Sequence, residues 1–114
     1  MKQHLIEIEA LLRKYEHVYH ANLAMTLKDA EEREPGAGLR QLDSDEWWGD
    51  SDSVAAIDLA ITGGFTPEAR RDAATFRRLL TELYQVMVDH NLHNEKGRDH
   101  GRAVQKMVGF PGLT

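Results

Sequence analysis

Six histidines and a dense run of carboxylates are the residues in this chain with the most obvious chemical reach. His17 and His20 stand three apart, as do His90 and His93. Residues at i and i+3 share a helix face. Two such H-x-x-H pairs on facing helices could offer four nitrogens to zinc or another transition metal. Glu16 and Asp89 would stand nearby. The di-iron pattern of helical bundles needs Glu-x-x-His twice, and neither pair supplies it. His17 falls mid-helix and His90 near a helix end, so the two pairs are poorly matched in level. The simpler reading is polar side chains donating to carboxylates or carbonyls. A metal-binding helical module on these four histidines is the alternative.

The second candidate runs from Asp43 to Ser53. It carries Asp43, Asp45, Glu46, Asp50 and Asp52 around Trp47 and Trp48. The calcium-loop pattern fails because Trp47 occupies a ligand position. Asp50, Ser51 and Asp52 suit the open N–H groups of a following helix. The remaining reading is a partner-binding patch, an acidic rim around a tryptophan, since tryptophan often anchors protein interfaces. Consecutive tryptophans point in different directions, so one is expected in the core and the other on the contact surface. The predicted contact residues are Asp43, Asp45, Glu46, Trp47, Trp48, Asp50 and Asp52.

Other chemistry is poorly represented. There are no cysteines, which removes disulfides, thiolate metal sites and a cysteine nucleophile. There is no G-x-S-x-G, phosphate loop or H-E-x-x-H. Arg70, Arg77 and Arg78 share one side of a helix, but nearby acids offer them ion pairs. The sequence points away from an enzyme, and no cofactor is expected. The net charge of −5, from 19 acidic and 14 basic residues, disfavours nucleic acid and suits a basic protein partner.

These residues must be positioned by helices. The strongest element runs from Thr66 to about residue 96. Thr66 can cap it, Pro67 fits the first helical position, and Glu68 complements the dipole. Phe76, Leu80, Leu83 and Met87 form its apolar stripe, widened by Leu79 and Val86. Gly97 is the expected stop. Phe65 is placed to pack back as a hydrophobic staple.

Residues Lys2 to about Glu34 read as a first long helix, with Leu5, Ile8, Leu12, Tyr15, Tyr19, Leu23 and Leu27 in three-and-four rhythm. Its charged end, residues 28–34, is expected to fray, and Pro35, Gly36 and Gly38 terminate it. Between the long helices, residues 39–48 and 53–62 read as short ones. Val54, Ile57 and Ile61 face inward in the second, with Leu59 off the line. Ala103, Val104, Met107 and Val108 permit a short final helix.

The expected fold is all-α. Two long antiparallel helices carry two or three short helices packed across them, in one domain of 114 residues. No apolar run reaches the ~20 residues of a membrane span. The N-terminus lacks a signal-peptide layout, so a cytoplasmic location is expected.

At Trp47-Trp48-Gly49, followed by Ser53-Val54 and Asp58-Leu59, the chain resembles small bacterial helical proteins. Some of these are immunity proteins encoded beside polymorphic or contact-dependent toxins. The resemblance implies a binder with no catalytic residues, whose partner is a basic toxin domain. A homodimer through the long helices is a further alternative.

Overall fold

The computed structural model describes residues 1–49 and 51–90. Among them are six α-helices and no strand: α1 (Lys2–Lys14), α2 (Val18–Arg33), α3 (Ala37–Leu42), α4 (Asp45–Trp48), α5 (Leu59–Thr62) and α6 (Pro67–Asp89). A 3-10 turn, Val54–Ala56, lies between α4 and α5. The all-α expectation holds. The expected stop at Gly97 and the final helix around Ala103 and Met107 lie outside the described residues.

The longest element forms as its local signals require. The Thr66 hydroxyl accepts the Ala69 N–H at 3.1 Å, and Pro67 opens α6. Phe76, Leu79, Leu80, Leu83 and Met87 are buried. The staple does not form, and Phe65 is 56 % exposed. The position it would meet, one turn into α6, holds Arg70, which offers no apolar partner.

The first long helix is not continuous. It breaks at Tyr15-Glu16-His17 and folds back. The Glu16 N–H donates to the Arg13 carbonyl at 3.1 Å, and the His17 N–H to the Leu12 carbonyl at 2.8 Å. This paired closure is a Schellman motif, which needs a left-handed residue between its two bonds. Glu16 takes that conformation, with φ 65°.

Beyond the break the buried face is reset. Tyr19 is 64 % exposed, whereas Ala21, Ala24, Leu27 and Ala30 turn inward. Three of these four are alanines, so α2 can lie close to α1.

Ion pairs fix the directions of the helices. Lys2 meets Glu32 at 3.1 Å, and Arg13 bonds Asn22 at 2.9 Å, so α1 and α2 run antiparallel. His4 donates to Glu82 at 3.2 Å, and Lys14 reaches Glu68 at 2.6 Å and Asp72 at 2.7 Å. Thus α1 also runs antiparallel to α6. Asp72 further accepts the Tyr15 hydroxyl at 2.6 Å. The bonds from Lys14 and Tyr15 hold the Asp72 carboxyl below its ordinary pKa of 3.8.

The middle of the chain is shorter-stepped than its periodicity implies. Residues 39–48 divide into α3 and α4, and residues 53–62 into the 3-10 turn and α5. The charged end of α2 is put to use: Glu31 accepts the Gly36 N–H at 2.8 Å and the Leu39 N–H at 3.3 Å, seating α3. Ser53 starts the 3-10 turn without a side-chain cap. The helix that follows is capped by Asp58, which accepts the Ala60 N–H at 2.9 Å. Leu59 is buried and Ile61 is 62 % exposed, the reverse of the expected stripe. The extended backbone at Ile57 and Asp58 resets the phase. Residues from all six helices share one apolar core, to which α3 and α5 contribute one buried side chain each, Leu42 and Leu59.

Candidate functional site

The two tryptophans are the first correction to the expected site. Trp47 is 2 % exposed and Trp48 1 %, so neither is free to anchor a partner. The two indole rings lie side by side, centroids 6.4 Å apart and tilted by 44°, and both enter the one apolar core. Trp48 packs edge-on to Tyr84 of α6, ring centroids 5.4 Å apart. Its indole N–H donates to the Leu42 carbonyl at 2.9 Å, satisfying a buried donor. Trp47 turns toward α2, beside Leu23 and Thr26. The pair acts as an internal clamp that holds the acidic segment in place.

The carboxylates are arranged differently. Asp45, Glu46 and Asp52 are exposed, and Asp43 is half-buried. Asp50 lies outside the described residues. Asp45, Glu46 and Asp52 line a groove of about 270 Å³ with Tyr19, Leu23 and Ser53. A neighbouring groove of about 350 Å³ continues it, sharing Leu23 and Glu46 and adding Thr26, Gln41, Ser44 and Trp47.

Tyr19 stands at the rim. Its hydroxyl donates to Glu46 at 3.3 Å. The negative charge of Glu46, and then that bond, raise the phenol's pKa. His20 Nε2 donates to the Asp52 carbonyl at 2.7 Å, and its ring meets Tyr19 edge-on at 5.2 Å. That bond ties the 51–53 loop to α2 and so sets the opening of the groove.

One buried polar group has no partner here. Ser53 is 3 % exposed, and its Oγ makes no hydrogen bond.

The histidine alternative is not assembled. His17 lies at the α1–α2 turn, where its Nε2 is 3.0 Å from the Thr62 hydroxyl. That hydroxyl spends its proton on the Asp58 carbonyl, so the imidazole must be the donor. His90 closes the far end of α6, its Nδ1 donating to the Val86 carbonyl at 2.8 Å. The α1–α2 turn sits beside the start of α6, and 22 residues of helix separate Glu68 from His90, about 33 Å at 1.5 Å per residue. His17 and His20 therefore stand at the opposite end of α6 from His90. His93 lies outside the described residues. Among the described residues no three His, Asp or Glu side chains are grouped to hold a metal.

Sequence reasoning found the acidic residues and missed Tyr19, Leu23 and Ser53. The periodicity places Tyr19 and Leu23 in a core stripe that the break at Glu16 displaces, and Ser53 reads only as the start of a short helix. Among the described residues no helix is long and apolar enough to cross a membrane.

No protein-family model matches the chain, and no curated protein or solved structure matches it. The resemblance to immunity proteins rests on the central motif alone.

Proposed function

We propose that this chain is a non-enzymatic, cytoplasmic interaction domain that binds a basic protein surface through its acidic segment. The corresponding biological role is that of an immunity protein occluding a toxin. In this reading the antiparallel pair α1 and α6 is the frame, and the short helices laid across it present the contact surface. The observation that carries the proposal is the clustering of exposed Asp45, Glu46 and Asp52 around one groove, on a segment clamped from within by Trp47 and Trp48. A rigid acidic surface loses little entropy on docking, and its charge steers a basic partner. The net charge of −5 acts in the same direction.

The test is co-expression with the toxin domain encoded by the adjacent gene, followed by a binding titration at low salt. The variant D45N/E46Q/D52N should bind about tenfold or more weakly, with the difference shrinking at high salt. Its melting temperature should be unchanged, because these side chains are exposed. Unaltered affinity, or an adjacent product that does not bind, overturns the proposal. A homodimer is the second reading, favoured by the exposure of Val18, Ile61 and Phe65. A light-scattering mass of one chain removes it.

A further inference from the structure

We infer that the groove between Tyr19 and Ser53 is a receptor for a single arginine side chain of the partner protein. The inference rests on the interaction reading above and specifies what the acidic surface receives. Three features point to arginine. The first is charge: Asp45, Glu46 and Asp52 all line the groove, alongside the apolar wall of Leu23. His20 is the titratable base on the facing helix, and its Nε2 is occupied by the Asp52 carbonyl.

The second feature is Ser53. It lines the same groove, and its hydroxyl is buried just behind that wall without a partner. Leaving such a group unsatisfied is costly, and an N–H donor that reaches it relieves that cost. A guanidinium carries five donors and no acceptor, so it can serve the hydroxyl and a carboxylate together. The third feature is the pairing of an aromatic ring with a carboxylate. Tyr19 presents an exposed ring whose hydroxyl is held by Glu46. Guanidinium stacks on aromatic faces and engages carboxylates through a planar fork, whereas a lysine ammonium does neither as well.

Size agrees with this assignment. The groove holds about 270 Å³, room enough for a long side chain, and opens toward the neighbouring groove rather than closing over a whole small molecule. It suits one long side chain projecting from a larger body. The stem would lie along Leu23, with the head between Glu46 and the Ser53 hydroxyl.

The probe is N-acetyl-arginine amide, titrated into the full chain and followed by two-dimensional amide NMR. N-acetyl-lysine amide serves as the control. The arginine compound should give saturable shifts at Tyr19, Leu23, Glu46 and Ser53, with a dissociation constant on the order of 1 mM. The lysine compound should bind at least about threefold more weakly.

E46Q, at an exposed position, should weaken arginine binding about tenfold while leaving the remaining spectrum in place. S53A removes the hydroxyl and should also weaken binding. If that variant unfolds, E46Q and the lysine control still decide the matter. Equal shifts from both compounds, shifts spread over all surface acids, or no shifts would overturn the inference.

The two proposals fail separately. A partner that still depends on Asp45, Glu46 and Asp52 while the arginine compound does not bind leaves the interaction domain and removes the pocket. Saturable arginine binding without an adjacent toxin leaves the pocket and removes the immunity role.

Discussion

The α1–α2 turn and the α5–α6 turn solve one geometric problem with different residues. In each, a helix ends in a Schellman closure. Around Glu16 the bonds run from Glu16 N–H to Arg13 and from His17 N–H to Leu12. Around Gly64 they run from Gly64 N–H to Ile61 at 3.1 Å and from Phe65 N–H to Ala60 at 2.8 Å. The left-handed position is Glu16 at φ 65° in the first turn and Gly64 at φ 68° in the second, where Phe65 follows it at φ 58°. The turns also touch. A Cβ on Gly63 would stand 2.8 Å from Tyr15 Cε1 and would clash with Ala69 Cβ. Glycine is therefore required by crowding at residue 63 and favoured by backbone conformation at residue 64. At residue 16 the fold tolerates a side chain in a conformation that costs an ordinary residue roughly 1–2 kcal/mol.

The largest effect is expected at the contact between the turns. Gly63→Ala should lose about 1–3 kcal/mol, because the new methyl meets Ala69 and the Tyr15 ring from two sides. Chemical denaturation measures it, and a loss no greater than that of Gly64→Ala would show that the turns part easily. Next comes the left-handed position itself. At Gly64 nothing stands within 4 Å of an added Cβ, so Gly64→Ala isolates conformational strain, about 1 kcal/mol. Glu16→Gly is the mirror experiment and should gain up to about 1 kcal/mol, less glycine's greater entropy loss on folding. A destabilised Glu16→Gly would mean that Glu16 contributes more through its side chain than its backbone conformation costs.

The smallest effect is a pH dependence confined to one turn. Burial, and then the neighbouring His20, push the His17 pKa below its ordinary 6.5. The unfolded chain therefore takes up this proton first as the pH falls. Stability from this group is fully present above about pH 6.5 and declines as the pH drops from there toward the lower folded value. His17→Gln should flatten that part of a melting-temperature profile. The separate decline below pH 4, where Asp72 loses its bonds to Lys14 and Tyr15, should persist. An unchanged profile near pH 6 would show that His17 is not what titrates there.

The same comparison explains what the sequence disclosed. Thr66, Pro67 and the Phe76 to Met87 stripe are local signals, and they specify α6 without help from the rest of the chain. Gly63-Gly64 likewise announces a turn. Glu16 announces nothing, because its left-handed backbone is imposed by packing. By coincidence the rhythm of Tyr15, Tyr19 and Leu23 runs on across the break. The true inner face of α2 is mostly alanine, which weighs little in any reading of apolar periodicity. That single hidden turn moved Tyr19 from the expected core to the candidate groove, which Leu23 lines while still packing against the core. The acids of that groove were legible by type. The burial of both tryptophans was not, because it depends on how the other helices close over the single turn α4.

Ala21 and Ala24 have a consequence of their own. They bring α2 to its neighbour through single methyl groups, so the distance between those two backbones fixes where the outer side of α2 stands. Tyr19 and Leu23 ride on that outer side. Enlarging either alanine would shift the whole wall outward and alter the aperture without changing one atom of its lining. The candidate groove can thus be retuned from behind, by evolution or by design, through residues that do not line it.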